Sequence, residues 1–351
     1  MFQPELLLRD NIKKLVPYSS ARDEFKGEAR VFLDANENSL GSPLTKWYNR
    51  YPDPLQWKLK QALSAVKGIS SENIFVGNGS DECIDILYRA FCNPGKDNVI
   101  INPPTYGMYE VSAHINDVEL RRASLLDNFQ LDLVHLETLV DDNTKIIWIC
   151  SPNNPTANSM NRPDIEIVLN NFQGIVVIDE AYINFSRHRS FLQDLPDYPN
   201  LVVLQTMSKA WGLAGLRLGM AFASEAIIDV YNKVKPPYNI NQATQDLALK
   251  ALEEVGQVNE MIRAIVTMRE LLSRDLGALP FVQAVYPSDA NFLLVRVPDA
   301  RGLYAYLLKD GIVVRDRSKV ELCAGCLRIT VGTEKENADL LATMKEYGAN
   351  I

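Results

Sequence analysis

Between residues 73 and 224 short apolar runs recur, each closed by a polar or glycine-rich cluster: NIFVGNG, NVIINPP, DVELRRA, KIIWICSP, GIVVIDEAY, LVVLQTMS and LGMAFAS. Amphipathic stretches with helical spacing separate them. Runs this apolar need cover on both faces, which in a single layer of strands only helices can supply. The pattern therefore predicts an α/β fold: a large domain with a mainly parallel seven-stranded sheet flanked by helices.

The pattern changes after Pro236-Pro237. Residues 248–279, ALKALEEVGQVNEMIRAIVTMRELLSRDLGAL, read as one long helical stretch. Three shorter strand signals follow, NFLLVRV, GIVVRD and CLRITVG, with a helix between the first two and another at the C-terminus. This is the pattern of a second, smaller α+β domain. The expected division is an N-terminal segment, 1–50, without a strong period, a large domain over 51–237 and a small domain over 238–351. No internal repeat or low-complexity tract interrupts it.

With 351 residues, 47% of them apolar, the chain can bury a core large enough for two domains. A formal charge of −8 argues against a general nucleic-acid binder, which needs a basic field. It leaves room for a small anion, since a few arginines make a positive pocket inside an acidic protein. The opening MFQPELLLRDNIKK has a three-residue apolar run broken by Arg9 and Asp10, too short for the core of a signal peptide. No run approaches the length of a membrane span, so the expectation is a cytoplasmic protein with no membrane partner. Five scattered cysteines suit a reducing compartment. Cys323 and Cys326 form a lone C-x-x-C without a second pair, so buried thiols are expected there and no metal site.

In open α/β sheets ligands gather beyond the carboxyl ends of the strands. The clusters GNGSDE, PPTYGMY, SPNNPTA, DEAY and TMSKAWGLAGLR all fall at such ends. Amino-group chemistry on pyridoxal phosphate needs a lysine to condense with the aldehyde, an acid for the ring nitrogen, donors for the phenolic oxygen and an anion cradle. Lys209 is the candidate lysine, whose amine becomes nucleophilic when desolvation and nearby cations lower its pKa. Gly212 and Gly215 would let backbone approach a bulky ligand. Ser208 and Thr206 offer hydroxyls, and Arg217 offers a planar fork for phosphate oxygens.

Asp179 ends the run IVVID. A carboxylate 4 Å from a ring N–H⁺ gains about 4 kcal/mol at an effective dielectric near 20, which keeps the ring protonated as an electron sink. Tyr182 and Asn154 are candidates for the phenolic oxygen, and Tyr106 for an aromatic face over the ring. In VGNGSDE the N–H groups of Ser80 and Asp81 open a helix where an anion is stabilised. A dinucleotide fingerprint would need a third glycine where Glu82 stands. Taken alone, the segment also reads as a plain turn and capped helix.

Together these segments resemble the fold-type I pyridoxal-phosphate aminotransferases, with the aspartate-aminotransferase-like fold, and more narrowly the histidinol-phosphate aminotransferase family. The likeness runs in order from LVPYSSAR through LDANENSLGSP, NRYPDP, GNGSDE, PPTYGMY, CSPNNPTA, VVIDEAY and SKAWGLAGLRLG to NFLLV, GIVVRD and CLRITVGT. The resemblance implies pyridoxal 5'-phosphate attached to Lys209, which then shuttles a proton. It implies Asp179 on the ring nitrogen, Tyr182 and Asn154 on the phenolic oxygen, and Tyr106 stacked on the ring. It implies a phosphate cradle of Ser80, Asp81, Thr206, Ser208 and Arg217, joined by Tyr51 from the second subunit of a homodimer. Arg328, assisted by Arg315 and Tyr18, would hold the substrate anion. Asn36 would lie in an N-terminal segment that contributes to the small domain and covers the site.

The implied reaction moves an amino group between histidinol phosphate and 2-oxoglutarate, forming glutamate. One pocket must then take a phosphate in one half-reaction and a carboxylate in the other, which planar guanidinium groups do better than lysine. Alternatives on the same fold are an aromatic amino-acid aminotransferase, a threonine-phosphate decarboxylase, and a ligand sensor without turnover. Three departures from the family pattern stand out: Ala157 for glycine, Ser39 for proline and Trp211 for phenylalanine.

Overall fold

In the computed structural model, which describes residues 2–18, 30–44, 46 and 48–349, near-continuous burial along every strand of the large sheet but the edge strand Glu119–Arg122 sets the architecture. The strands are β1 Ile74–Asn78, β2 Asn98–Ile101, β3 Glu119–Arg122, β4 Thr144–Cys150, β5 Ile175–Asp179, β6 Leu201–Thr206 and β7 Leu218–Ala223. They form one sheet in the order β1-β7-β6-β5-β4-β2-β3. All neighbours are parallel except β7, which runs antiparallel to both β1 and β6. Alternate residues serve two separate cores. Ile147, Ile149, Val176, Ile178 and Val203 face one, while Ile146, Trp148, Val177, Val202 and Leu204 face the other. That is the two-faced burial that continuous apolar strands demand.

The reversal of β7 positions the site. Parallel strands deliver their carboxyl ends to one edge of the sheet, and an antiparallel strand brings its amino end there instead. Arg217, just before β7, thereby joins the loops that follow β1, β4, β5 and β6.

The small domain carries β8 Ala284–Val285, β9 Phe292–Arg296, β10 Arg315–Asp316 and β11 Cys326–Thr330, all antiparallel, in the order β10-β11-β9-β8. Helices 300–309 and 334–349 and the end of the long helix cover one face around Leu293, Val295, Leu303 and Met344. On the other face Phe292 and Leu294 continue the core of the large sheet.

The structure departs from the sequence pattern at β8, which none of the three strand signals marks, and in two further places. The stretch at 248–279 is two helices, Gln242–Leu252 and Val255–Gly277, broken at Glu253-Glu254. Their amides turn back to Lys250 and Ala251 at three-residue spacing. Two acids are unfavourable at the negative end of one helix and favourable at the positive start of the next, so the break falls where the charge prefers it. GIVVRD contributes only Arg315 and Asp316 to a strand, because the short edge strand has a single neighbour. In the N-terminal segment, Leu8 and Ile12 bury against the second core, and the Arg9 amide donates to the Ala90 carbonyl.

Candidate active site

Ten of the residues singled out from sequence line one cavity of about 140 Å³ at the carboxyl edge of the large sheet. Ser80, Asp81, Tyr106 and Asn154 come from the loops after β1, β2 and β4, while Asp179, Tyr182, Thr206, Ser208, Lys209 and Arg217 come from the ends of β5 and β6 and the start of β7.

Lys209 follows β6 in a tight turn closed by the Gly212 amide on its carbonyl and the Leu213 amide on that of Met207, each at 3.0 Å. Its ammonium opens to the cavity and lies 5.7 Å from the centre of the Tyr182 ring. Packing around the side chain lowers its pKa from the ordinary lysine value, and Arg328 lowers it further, with Asp179 and Asp81 opposing. The amine is thus moved toward its reactive, neutral form.

Asp179 is buried at 3% exposure. Its carboxylate accepts from the Tyr109 hydroxyl at 2.7 Å and from the Ala181 amide at 3.1 Å. Burial raises its pKa, against those two hydrogen bonds. Tyr109 is itself fixed by stacking on Trp148 at 4.9 Å. Tyr106 donates to Asp81 at 3.0 Å and meets Tyr109 edge-on at 5.6 Å. Burial likewise pushes the Tyr182 hydroxyl well above the usual tyrosine range, while Arg328 pulls it down. A phenol held that firmly protonated is a donor.

The cradle sits where helix 80–91 begins. Gly79 has φ +77°, and a Cβ there would lie 2.6 Å from Arg217 Nη2. The missing side chain lets the guanidinium lie across the open N–H groups of the helix, focusing two positive features on one spot. Arg217, itself at φ 53°, pairs with Asp81 at 3.2 Å. Thr206 holds the loop by accepting from the Ser208 amide at 3.1 Å.

Arg328 reaches in from β11. Its Nη1 donates to the Asn154 amide oxygen at 2.6 Å, leaving the Asn154 amide group as a donor. Its guanidinium lies over Phe292 at 5.3 Å. Arg315 sits opposite Arg328 on β10 and is exposed. Tyr51 and Asn36 are elsewhere in the single chain: both line a second cavity of about 500 Å³ with Arg50 and Tyr238, and Tyr51 stacks on Tyr238 at 4.5 Å. Tyr18, 74% exposed, borders a third cavity against Pro54 and Pro237.

With this geometry in view, the family model for aminotransferase class I and II matches residues 32–344. A histidinol-phosphate aminotransferase from Cytophaga hutchinsonii is 56% identical over 346 residues, 99% of each chain. The chain belongs to the class I and II aminotransferases, in the histidinol-phosphate aminotransferase family. Among solved structures, the histidinol-phosphate aminotransferase from Clostridium acetobutylicum aligns with a TM-score of 0.80 and 25% identity, over 87% of this chain and 92% of that one. That from Sinorhizobium meliloti, in complex with pyridoxal-5'-phosphate, has a TM-score of 0.79 and 24% identity over 86% and 83%.

The aminotransferase site fits that cofactor on structural grounds. A buried carboxylate whose pKa is raised by burial suits a cationic ring nitrogen, the arginine-covered helix start suits a phosphate, and a lysine of lowered pKa suits an aldehyde. Sequence reading missed two participants. Tyr109 was hidden because nothing local ties it to Asp179, 70 residues on. Gly219 is the crowded glycine of SKAWGLAGLRLG, since a Cβ on it would fall within the backbone of Gly79 and Ser80; at Gly212 and Gly215 a Cβ meets nothing within 4 Å.

Proposed function

We propose that this aminotransferase interconverts L-histidinol phosphate plus 2-oxoglutarate with imidazole acetol phosphate plus L-glutamate, a step of histidine biosynthesis, using pyridoxal 5'-phosphate. The carrying observation is the convergence of Lys209, Asp179 and Arg217 on one cavity, with Arg328 entering from the small domain. Bound pyridoxal phosphate supplies an aldehyde to take the amino group and a protonated ring to receive electrons from the substrate carbon.

The chain's residues do the rest. Asp179, held by Tyr109 and the Ala181 amide, keeps the proton on the ring nitrogen. Lys209 Nζ, below its usual pKa, would accept the proton from the carbon bearing the substrate amine and pass it to the carbon of the cofactor's aldehyde group. Tyr182 and Asn154 donate to the phenolic oxygen, and Tyr106 braces the ring. Ser80, Asp81, Thr206, Ser208 and Arg217 anchor the phosphate through backbone N–H groups, hydroxyls and guanidinium. Arg328, with Arg315 and, as the resemblance implies, Tyr18, holds the substrate's phosphate or carboxylate, and the resemblance assigns Asn36 to the segment that covers it.

The reading extends to a homodimer working in the cytoplasm. The dimer is supported by the Tyr51–Tyr238 stack, whose exposed Tyr51 lies apart from Lys209 within one chain and would complete the cofactor site of a twofold partner. Mixing Tyr51→Ala and Lys209→Ala chains tests this: hybrid dimers regain one intact site, whereas independent monomers regain none. Among the described residues no helix is long and apolar enough to cross a membrane.

The reaction itself is tested by presenting the holoenzyme with histidinol phosphate, aromatic amino acids and threonine phosphate in turn while following the cofactor's absorbance. Histidinol phosphate should be the preferred donor, with 2-oxoglutarate restoring the starting spectrum. Release of carbon dioxide from threonine phosphate without keto acid would replace this reading with a decarboxylase.

A further inference from the structure

Three arginines share one face of the small sheet. Arg315 and Arg328 are register partners across β10 and β11, and directly opposite residues of an antiparallel pair project to the same side. The Arg317 amide donates to the Cys326 carbonyl at 2.9 Å, continuing that register past the end of β10. Side chains two apart share a face, so Arg317 points where Arg315 and Arg328 point. Phe292 occupies the same face under the Arg328 guanidinium, and its ring meets Tyr182 edge-on at 5.1 Å. The face therefore looks onto the cavity around Lys209.

Arg317 is better placed than Arg315 to act there. Arg315 is exposed, whereas Arg317 is half-buried. The Arg317 Nε is shut off from water and has no hydrogen-bond partner among the described residues. The adjacent acid does not neutralise it: Asp316 projects to the opposite face and accepts from the Ser318 amide at 2.8 Å. After burial, Arg317 is the charge that most lowers the Arg328 pKa, ahead of Arg315, and Arg317 also acts on Tyr182. A half-buried cation beside another cation is costly, and an arriving anion relieves that cost.

We propose that Arg317 is a third anion-binding group of the substrate pocket, which selects the phosphate-bearing amino donor over the carboxylate donor. This rests on the function proposed above. A phosphate monoester carries nearly two negative charges at neutral pH, a carboxylate one. Two guanidinium groups suffice for a carboxylate, and a third is rewarded only when the second charge arrives.

The test uses the full-length holoenzyme with Arg317→Gln and, as the conservative variant, Arg317→Lys. Single-turnover spectra give kcat/KM for histidinol phosphate and for glutamate. Loss of one charge-assisted contact should lower the value for histidinol phosphate by roughly 10- to 100-fold more than that for glutamate, mainly through KM. Arg317→Lys should recover part of the difference. Inorganic phosphate, as a competitive inhibitor against glutamate, should weaken by a similar factor in Arg317→Gln, and acetate should not. Equal loss for both donors, or no loss for either, overturns the proposal. If the unaltered enzyme reacts with glutamate and not with histidinol phosphate, the proposed reaction fails instead, and the phosphate-against-acetate comparison still decides the role of Arg317.

Discussion

Replacing Asp179 with asparagine should move stability and activity in opposite directions. In the cofactor-free protein Asp179 is a buried carboxylate whose pKa is raised by burial. The native state then binds its proton more tightly than the unfolded chain does. Between the unfolded pKa, about 3.9, and the raised folded one, stability falls as pH rises, and that fall is the cost of burying the charge. Asparagine removes that charge at the cost of one hydrogen bond, since its single amide oxygen accepts from Tyr109 and no longer also from the Ala181 amide; relief of the buried charge outweighs that bond, so the cofactor-free variant should melt at the same temperature as the parent or higher. With the cofactor bound, the variant lacks a charge opposite the ring nitrogen. At about 4 Å and an effective dielectric near 20 that interaction is worth about 4 kcal/mol, or roughly a thousandfold in rate if it is realised in the transition state. Calorimetry of the cofactor-free protein between pH 5 and 8, together with single-turnover kinetics of the loaded enzyme, reads both effects. A melting point several degrees lower in the variant would show that the charge stabilises the empty fold. A loss of less than tenfold in rate would show that Asp179 does not hold the ring proton.

Gly219→Ala should destabilise the fold by about 3 kcal/mol or more, because the new methyl meets the backbone of Gly79 and Ser80, which cannot rotate away. Denaturant melts against Gly215→Ala, which has open space, check it, and similar midpoints would defeat the crowding argument. Ala157 is fully buried at φ 70°, a left-handed conformation costing about 1–2 kcal/mol for a residue with a Cβ. Ala157→Gly should therefore stay within about 1 kcal/mol of the parent, since relief of strain offsets the entropy and burial lost. Ala113→Gly, in helix 108–115 and equally buried, should show an uncompensated loss; equal destabilisation of the two would refute the strain. Arg328→Ala removes the donor to Asn154 and should lower kcat/KM for histidinol phosphate and glutamate alike, by roughly 10- to 100-fold, while the cofactor stays bound. If only one donor suffers in half-reaction assays, Arg328 is not a shared anion site.

The sequence by itself determined what depends on neighbours along the chain. Seven apolar runs closed by polar clusters announced a two-faced sheet and the edge where a ligand would lie, because strand burial and loop chemistry are local properties. Lys209, Asp179 and the Gly79-Ser80-Asp81 helix start were legible for the same reason: each stands at the end of its own strand. The break at Glu253-Glu254 was not, since helical periodicity continues through it and only packing and charge at the two helix ends decide between one helix and two. The tertiary structure alone decided which distant groups meet. The antiparallel β7 carries Arg217 back over Gly79. The stacked Trp148 and Tyr109 place a hydroxyl on Asp179. Two neighbouring strands turn Arg315, Arg317 and Arg328 onto one face, and burial distinguishes the first two where spacing treats them alike. Such pairings come from strand order and register, which are set by how the whole core closes and leave no mark on any short stretch of chain.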